Sequence, residues 1–256
     1  MHAVHQLYFY RKSLSTKPFN ARGKAVVRCD YCRVAIKYCV CEQAPVVDSQ
    51  HSVLLLMHDI EVLKPSNTGK LIADIIPNTY AQIWQRNHYP DDLRNLLEQE
   101  SYQPVLIFPK EYVVDKQQIL SGFSTEPSAK KYLFILIDGS WREAKKIYRK
   151  SEYLHNIPVL SIDPQVLLNA SYQSKYQIRK ATKENQLATA EVAAQVFALA
   201  GEADNANILN AWFEAYSYQY QLSVCQPNKG DPLAWQRYHD LVKSMGISYR
   251  SDIKSA

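Results

Sequence analysis

Apolar positions arrive along this chain in two rhythms. Residues 53–57, 104–108 and 132–137 are near-continuous apolar runs with the length of strands buried on both faces. Residues 80–84 and 159–162 read as further strands. Between them the apolar spacing becomes helical: at 68–76, stopped by Pro77, at 91–99 with acids in its first turn, and at 142–150. Three more helical patterns close the chain, at 187–200 with Gly201 as cap, at 206–222 and near 232–244. Residues 1 to about 50 read as irregular, and 110–130 as loop. Strands alternating with helices predict an α/β fold, a mostly parallel sheet covered by helices. Such sheets bind ligands beyond the carboxyl ends of their strands, so the loops after Met57, Phe108, Ile137 and Ile162 are the places to look. Three parts are expected: residues 1–50, a core over 51–200, and a C-terminal helical extension over 201–256.

Composition narrows the picture. At 256 residues and 46% hydrophobic content the chain supports one large core, and no apolar run approaches a membrane span. The N-terminus lacks the apolar stretch of a secretory signal. It does carry six basic residues, from Arg11 to Arg28, with no acid before Asp30. A transit peptide, a disordered basic arm touching RNA phosphate and an inert tail are all consistent with that. A soluble cytoplasmic protein is expected. Seven glycines occur and none forms a G-x-G pair, which excludes the dinucleotide fingerprint and the Gly-rich phosphate loop together.

Cys29-x2-Cys32-x6-Cys39-x-Cys41 sets four thiols within 13 residues. Thiolates so spaced can close round one tetrahedral zinc, leaving no open position for catalysis. An iron–sulfur cluster and four inert reduced thiols are the alternatives. A fifth thiol, Cys225, reads as an ordinary buried residue. After the first strand, Glu61-Val-Leu-Lys-Pro-Ser-Asn-Thr-Gly-Lys70 leads into a helix that Asn67 or Thr68 can cap, freeing backbone N–H groups for a carboxylate or phosphate. Asp138-Gly139-Ser140-Trp141 follows the most apolar strand. A carboxylate there needs partners to offset its desolvation, a helix cap being the plainest, and Trp141 offers a ring for stacking.

Charge is unevenly spread. Overall the chain carries +5, but residues 130–150 hold seven bases against two acids, Arg142 and Lys145 among the bases. Residues 171–183 add Lys175, Arg179, Lys180 and Lys183 with no acid, interleaved with Tyr172 and Tyr176. Any single run is ordinarily a solvated face. Basic residues alternating with rings suit phosphate contact plus base stacking, and together the runs favour RNA.

These motifs, in this order, resemble the DTW-domain family, which includes bacterial tRNA-uridine aminocarboxypropyltransferases. The resemblance rests on the four cysteines, the 61–71 loop, Phe108-Pro109, Asp138-Gly-Ser-Trp141, Ser174-Lys-Tyr-Gln-Ile-Arg-Lys180 and Leu187-Ala-Thr-Ala-Glu-Val-Ala-Ala194. The family's D-T-W stands here as Asp138, Ser140 and Trp141, one hydroxyl for another. The resemblance implies a knotted SPOUT-like sheet and S-adenosylmethionine as donor. It also implies transfer of the 3-amino-3-carboxypropyl group to N3 of a tRNA uridine in the variable loop, with methylthioadenosine released. On that basis Asp138 is the candidate base, or the anchor of the donor's amino group, with Glu61 its rival. Phe108, Pro109, Gly139, Ser140, Trp141, Leu160, Tyr176 and Arg179 are expected around the donor. Asn67, Thr68, Lys70, Arg142, Lys145, Ser174 and Lys180 are expected at the tRNA, and Cys29, Cys32, Cys39 and Cys41 at a structural zinc. Loss of a cysteine ligand is expected to lower stability or tRNA affinity while leaving the donor pocket formed. A SPOUT-type RNA methyltransferase and a non-catalytic zinc-containing RNA-binding module are the rival readings. Monomer and homodimer both remain open.

Overall fold

The structure, a computed structural model, describes residues 1–17, 23–124, 130–162, 187–224 and 227–250. Tyr172, Ser174, Lys175, Tyr176, Arg179, Lys180, Lys183 and Cys225 lie outside the described residues. The described chain opens with α1 (Ala3–Ser13) and a short strand β1 (Pro45–Val46). The alternating core follows as β2 (Ser52–Met57), α2 (Asp59–Leu63), α3 (Gly69–Ile75), β3 (Thr79–Ile83), α4 (Asp91–Glu98) and β4 (Tyr102–Ile107). It continues with β5 (Ile119–Leu120), β6 (Lys131–Asp138), α5 (Trp141–Arg149) and β7 (Val159–Leu160). Three helices, α6 (Thr189–Leu199), α7 (Ala203–Leu222) and α8 (Ala234–Ser244), and the strand β8 (Ser248–Tyr249) complete it.

Six strands form one sheet in the order β3-β2-β6-β4-β7-β5, every pairing parallel, while β1 and β8 form a separate antiparallel pair. The apolar runs are continuous because both faces are covered. Val53, Leu55, Met57, Phe134 and Leu136 pack with α3, α6 and α7, whereas Leu54, Leu56, Leu133 and Ile135 pack with α4 and α5. Successive side chains of a strand point to opposite faces, so each run feeds two cores at once. Each fully buried Leu or Phe contributes about 1.5–3 kcal/mol.

Adjacent strands β2 and β6 are left by connections on opposite faces: β2 continues into α2 and α3 over the first core, and β6 into α5 over the second. In parallel α/β sheets such a reversal is where a crevice for ligands opens at the carboxyl ends. Register places Met57 beside Asp138 at that edge.

Three expectations are corrected. The N-terminal residues are not irregular throughout: α1 packs against α2, α3 and β3. Val4, Leu7 and Tyr8 form a short apolar stripe at helical spacing, with Val4 fully buried. Polar ties reinforce it, Arg11 to Asp59 and His2 Nε2 to Asp74 Oδ1 at 3.3 Å, and the Arg250 guanidinium lies 3.6 Å from the same carboxylate oxygen. The stripe is too short and too closely followed by basic residues to stand out in sequence. Residues 110–130 are not all loop, since β5 adds a parallel edge strand beside β7. Two residues carry no periodicity to detect. β7 itself ends at Leu160 instead of continuing to 162.

The C-terminal helices form as expected, with Gly201 at φ +87° between α6 and α7. Helix α7 buries Trp212, Phe213 and Tyr216 in the same core as α3 and α6.

Candidate functional site

The four cysteines come together as their spacing predicts. Their Sγ atoms all lie within 4.8 Å of one another, with Cys29–Cys41 at 3.5 Å and Cys32–Cys39 at 3.7 Å. Zinc–thiolate bonds of about 2.3 Å give tetrahedron edges of about 3.8 Å, so this donor set fits that ion. A tight turn closes the first pair: Arg33 N–H donates to Cys29 O and Cys29 N–H to Val34 O, each at 2.9 Å, with Arg33 in the left-handed region at φ 64°. A hydrogen bond from Cys41 lowers the Cys32 thiol against the opposing effect of burial, while burial raises Cys39 and the same bond to Cys32 raises Cys41, as expected of four thiols crowded together.

From this turn Arg33 enters the core, only 2% exposed. Its Nη1 donates to Val62 O at 2.7 Å and reaches Lys64 O at 3.5 Å, and the guanidinium covers the Tyr8 ring at 4.0 Å. Tyr216 on α7 makes a second tie, its hydroxyl 3.2 Å from Cys32 O and 2.9 Å from Pro65 O. The cysteine segment is therefore fastened to the 61–70 loop over residues 62–65.

At the β2–β6 crevice the central group is Asp138, 3% exposed. Asn67 Nδ2 donates to its Oδ2 at 2.6 Å and Thr189 Oγ1 to its Oδ1 at 2.7 Å. Three segments distant in sequence thus converge on one carboxylate. Asp138 does not cap the helix that follows. Ser140 does so, in a reciprocal capping box with Glu143 that leaves Asp138 to face the crevice. Gly69 makes the approach possible, because a Cβ there would stand 2.6 Å from Asp138 Oδ2. Gly139 plays the same part beside it, where a Cβ would meet His58 and Glu143 at 3.3 and 3.2 Å.

Around Asp138 sit further ionisable groups. His58 donates its backbone N–H to Asp138 O at 2.9 Å and holds Nδ1 3.4 Å from Glu143 Oε1. Burial alone would raise the Glu143 carboxyl, yet hydrogen bonds at Ser140, with His58 and Lys64 nearby, hold it below its ordinary value. Glu61, 2% exposed, is paired with Lys64 Nζ at 2.5 Å. Both candidate bases therefore lie at this edge, Asp138 bonded by Asn67 and Thr189 and Glu61 by Lys64.

Beyond the neighbouring strand β4 stands an aromatic wall. Phe108 stacks on Tyr148 at 4.8 Å and meets Trp141 at 5.7 Å; Tyr112 meets Trp141 edge-on at 5.0 Å. Lys145 lies over both Tyr112 and Trp141, at 5.0 and 5.6 Å. Phe108 N–H donates to Leu160 O at 3.3 Å, bringing Leu160 and Pro109 to the same edge. Arg142, Lys146, Arg149 and Lys150 are exposed along α5, so a basic face adjoins the crevice.

Sequence reasoning placed Asp138, Glu61, Asn67, Phe108, Gly139, Ser140, Trp141 and Leu160 at one sheet edge, and the structure brings them there. Lys70 is redirected. It has no exposed surface, and its ammonium donates to Pro65 O, Asn67 O and the Tyr216 hydroxyl at 2.8, 3.1 and 2.6 Å. Those bonds hold the loop together and turn the charge away from any phosphate. Thr68 is buried too and makes no side-chain cap; Asn67 Oδ1 instead accepts from Lys70 N–H at 3.2 Å. His58, Glu143, Thr189 and Arg33 were missed. Thr189 stood inside a quoted motif, and His58 directly after the first strand, but neither carried a signal of its partner.

Residues 26–221 match the family model of the DTW domain. The chain is 29% identical over 195 residues to tRNA-uridine aminocarboxypropyltransferase 2 of Drosophila melanogaster, an alignment covering 73% of this chain and 70% of the fly protein. With tRNA-uridine aminocarboxypropyltransferase 2 of Mus musculus it shares 27% identity over 170 residues, 65% of this chain and 54% of the mouse protein. No solved structure matches the chain. The family match runs from the cysteine turn through the Asp138 crevice to the end of α7, so it takes in every segment that builds the site, and the chain belongs to the DTW-domain family.

Proposed function

We infer that this chain is an enzyme, a tRNA-uridine aminocarboxypropyltransferase that takes the 3-amino-3-carboxypropyl group from S-adenosylmethionine and joins it to N3 of a tRNA uridine in the variable loop. The observation that carries the reading is the convergence of Asn67, Asp138 and Thr189 at the β2–β6 crevice, inside a DTW domain whose relatives bear that name.

The uridine N3 proton must leave before nitrogen can act as nucleophile. Asp138 accepts that proton or holds the donor's ammonium, and Glu61 is the second carboxylate able to do either. The nitrogen lone pair forms a bond to the donor's Cγ as the Cγ–sulfur bond breaks, and methylthioadenosine departs with the sulfur electrons. The sulfonium charge activates the leaving group, so the protein's task is alignment and proton removal. Phe108, Trp141 and Leu160 supply an apolar, aromatic flank suited to adenosine. Arg179, in the segment outside the described residues, is assigned to the donor's carboxylate. The exposed bases of α5 suit the tRNA backbone. A SPOUT-like knotted connection, a cytoplasmic location, zinc at the four cysteines and three parts at 1–50, 51–200 and 201–256 belong to the same proposal.

The test is incubation with tRNA and labelled S-adenosylmethionine, followed by nucleoside mass spectrometry. Aminocarboxypropyluridine with methylthioadenosine is the expected pair. S-adenosylhomocysteine as the nucleoside by-product indicates methyl transfer and overturns the reading, as does donor binding with no transfer. Asp138→Asn abolishes transfer while tRNA still binds; normal turnover removes Asp138 from the mechanism.

A further inference from the structure

Arg33 is unusual for a core residue. It is nearly inaccessible, it has no carboxylate partner within ion-pair distance among the described residues, and its Nε and Nη2 are buried without a hydrogen-bond acceptor. Among the described residues its guanidinium bonds two backbone carbonyls and covers the Tyr8 ring. Burying a cation on so few partners costs folding free energy, and an apolar residue of similar volume fills such a site at least as cheaply. Stability therefore gives a weak reason for an arginine here.

Its connections give a stronger one. The side chain leaves a backbone in the left-handed region, fixed by the turn between Cys29 and Val34. It ends on Val62 O and Lys64 O, at the point where α2 passes into the 64–68 loop. Three residues beyond Lys64, Asn67 donates to Lys64 O through its N–H and to Asp138 through its side chain. Gly69 then brings the start of α3 against the same carboxylate. A chain of hydrogen bonds thus runs from the cysteine turn through Arg33 and the loop carbonyls to Asn67 and Asp138.

We propose that Arg33 is a positioning residue for the reaction, setting the 62–69 loop from the metal-closed cysteine turn so that Asn67 and Gly69 hold Asp138 in its working orientation. This rests on the aminocarboxypropyl transfer reading for its kinetic test, though its structural consequence does not. Arg33 touches neither substrate. The four-cysteine site, closed to chemistry of its own, thereby acts on catalysis through Arg33.

The experiment compares wild type with Arg33→Met, Arg33→Lys, Asn67→Ala and the Arg33→Met/Asn67→Ala double variant, all metal-replete. Measured are metal content, kcat and KM for tRNA, and amide exchange over residues 62–69. Arg33→Met is expected to keep its metal, to lower kcat ten-fold or more with KM for tRNA unchanged, and to speed exchange in the loop. Arg33→Lys is expected to restore part of both effects. The double variant is expected to be no slower than the worse single one, because both act on the same carboxylate. Wild-type kcat in Arg33→Met, multiplicative losses in the double variant, or loss of metal from Arg33→Met each overturns the assignment. An inert wild type refutes the transfer reading instead. In that case the exchange measurement still decides Arg33, since unchanged loop protection in Arg33→Met overturns it.

Discussion

Gly69→Ala is the most direct probe of how closely the crevice is fitted. The methyl group would start 2.6 Å from Asp138 Oδ2 and 3.2 Å from its Cγ. Ordinary contact begins near 3.4 Å, so the carboxylate has to retreat by about 0.8 Å or the helix start has to shift. The carboxylate has little freedom, being gripped by Asn67 at 2.6 Å and Thr189 at 2.7 Å. Moving it stretches the Asn67 bond beyond good geometry, and a hydrogen bond to a charged group is worth about 1.5–3 kcal/mol. Against that stands a gain of about 0.5–1 kcal/mol from replacing glycine in a helix. Global stability should therefore fall by about 0.5–2.5 kcal/mol. Catalysis has no compensating gain, and at 1.4 kcal/mol per factor of ten the same lost bond predicts a kcat roughly ten- to hundred-fold lower. Urea denaturation measures the first quantity and single-turnover transfer of labelled donor the second. Gly122→Ala is the control, as nothing lies within 4 Å of a Cβ there. Undiminished turnover in Gly69→Ala, or an equal loss in the control, refutes the claim that Gly69 exists to admit Asp138.

Four further outcomes follow from the same geometry. Lys70→Met should lower stability by about 1–3 kcal/mol through the lost buried bonds and leave the tRNA Kd unchanged in a filter-binding assay; a weakened Kd with normal stability returns Lys70 to the tRNA surface. Trp141→Ala should raise KM for S-adenosylmethionine with little change in tRNA affinity, measured by titrating each substrate separately; unchanged donor KM removes the ring from the donor site. Glu143→Gln keeps an acceptor for the Ser140 N–H and should cost about 0.3–1 kcal/mol at neutral pH, through the charge lost at the N-terminus of α5 and beside His58. Because the Glu143 carboxyl sits below its ordinary value of 4.5, its contribution is full above that pH and lost as the pH falls through the lower folded value. The two proteins should therefore converge in acid, and a gap that persists there contradicts the assignment. Chelating the metal should speed amide exchange in the 62–69 loop as well as in the cysteine segment, since Arg33 and Tyr216 join them; exchange confined to residues 29–41 would mean the two units are independent.

That last outcome would run against an expectation drawn from sequence. Four thiols preceding the sheet look like a detachable module, so their loss should spare the donor pocket. In the fold Arg33, from a left-handed turn, and the Tyr216 hydroxyl on α7, 184 residues from Cys32, tie the cysteine segment to the 61–70 loop that reaches Asp138. Spacing in the chain says which thiols can share an ion and nothing of what lies behind them.

The chain's own pattern determined the layers of this protein. Continuous apolar runs require cover on both faces, which is the parallel sheet with helices on each side, and the acid ending the most apolar run had to meet polar partners at the carboxyl edge. The cysteine spacing likewise determined its own cluster. Tertiary structure alone decided strand order, and with it the reversal between β2 and β6 that places the crevice. It also chose the partners. Asp138 read as the cap of α5, and only the approach of Asn67, Gly69 and Thr189 from elsewhere in the chain gives it other partners, the cap falling to Ser140. Lys70 shows the same limit in reverse: a lysine beside a glycine at a helix start looks made for phosphate, and a buried tyrosine and two carbonyls claim it. Local pattern records how much each residue gains by leaving water. Which group it meets there depends on chain crossings that no short window contains.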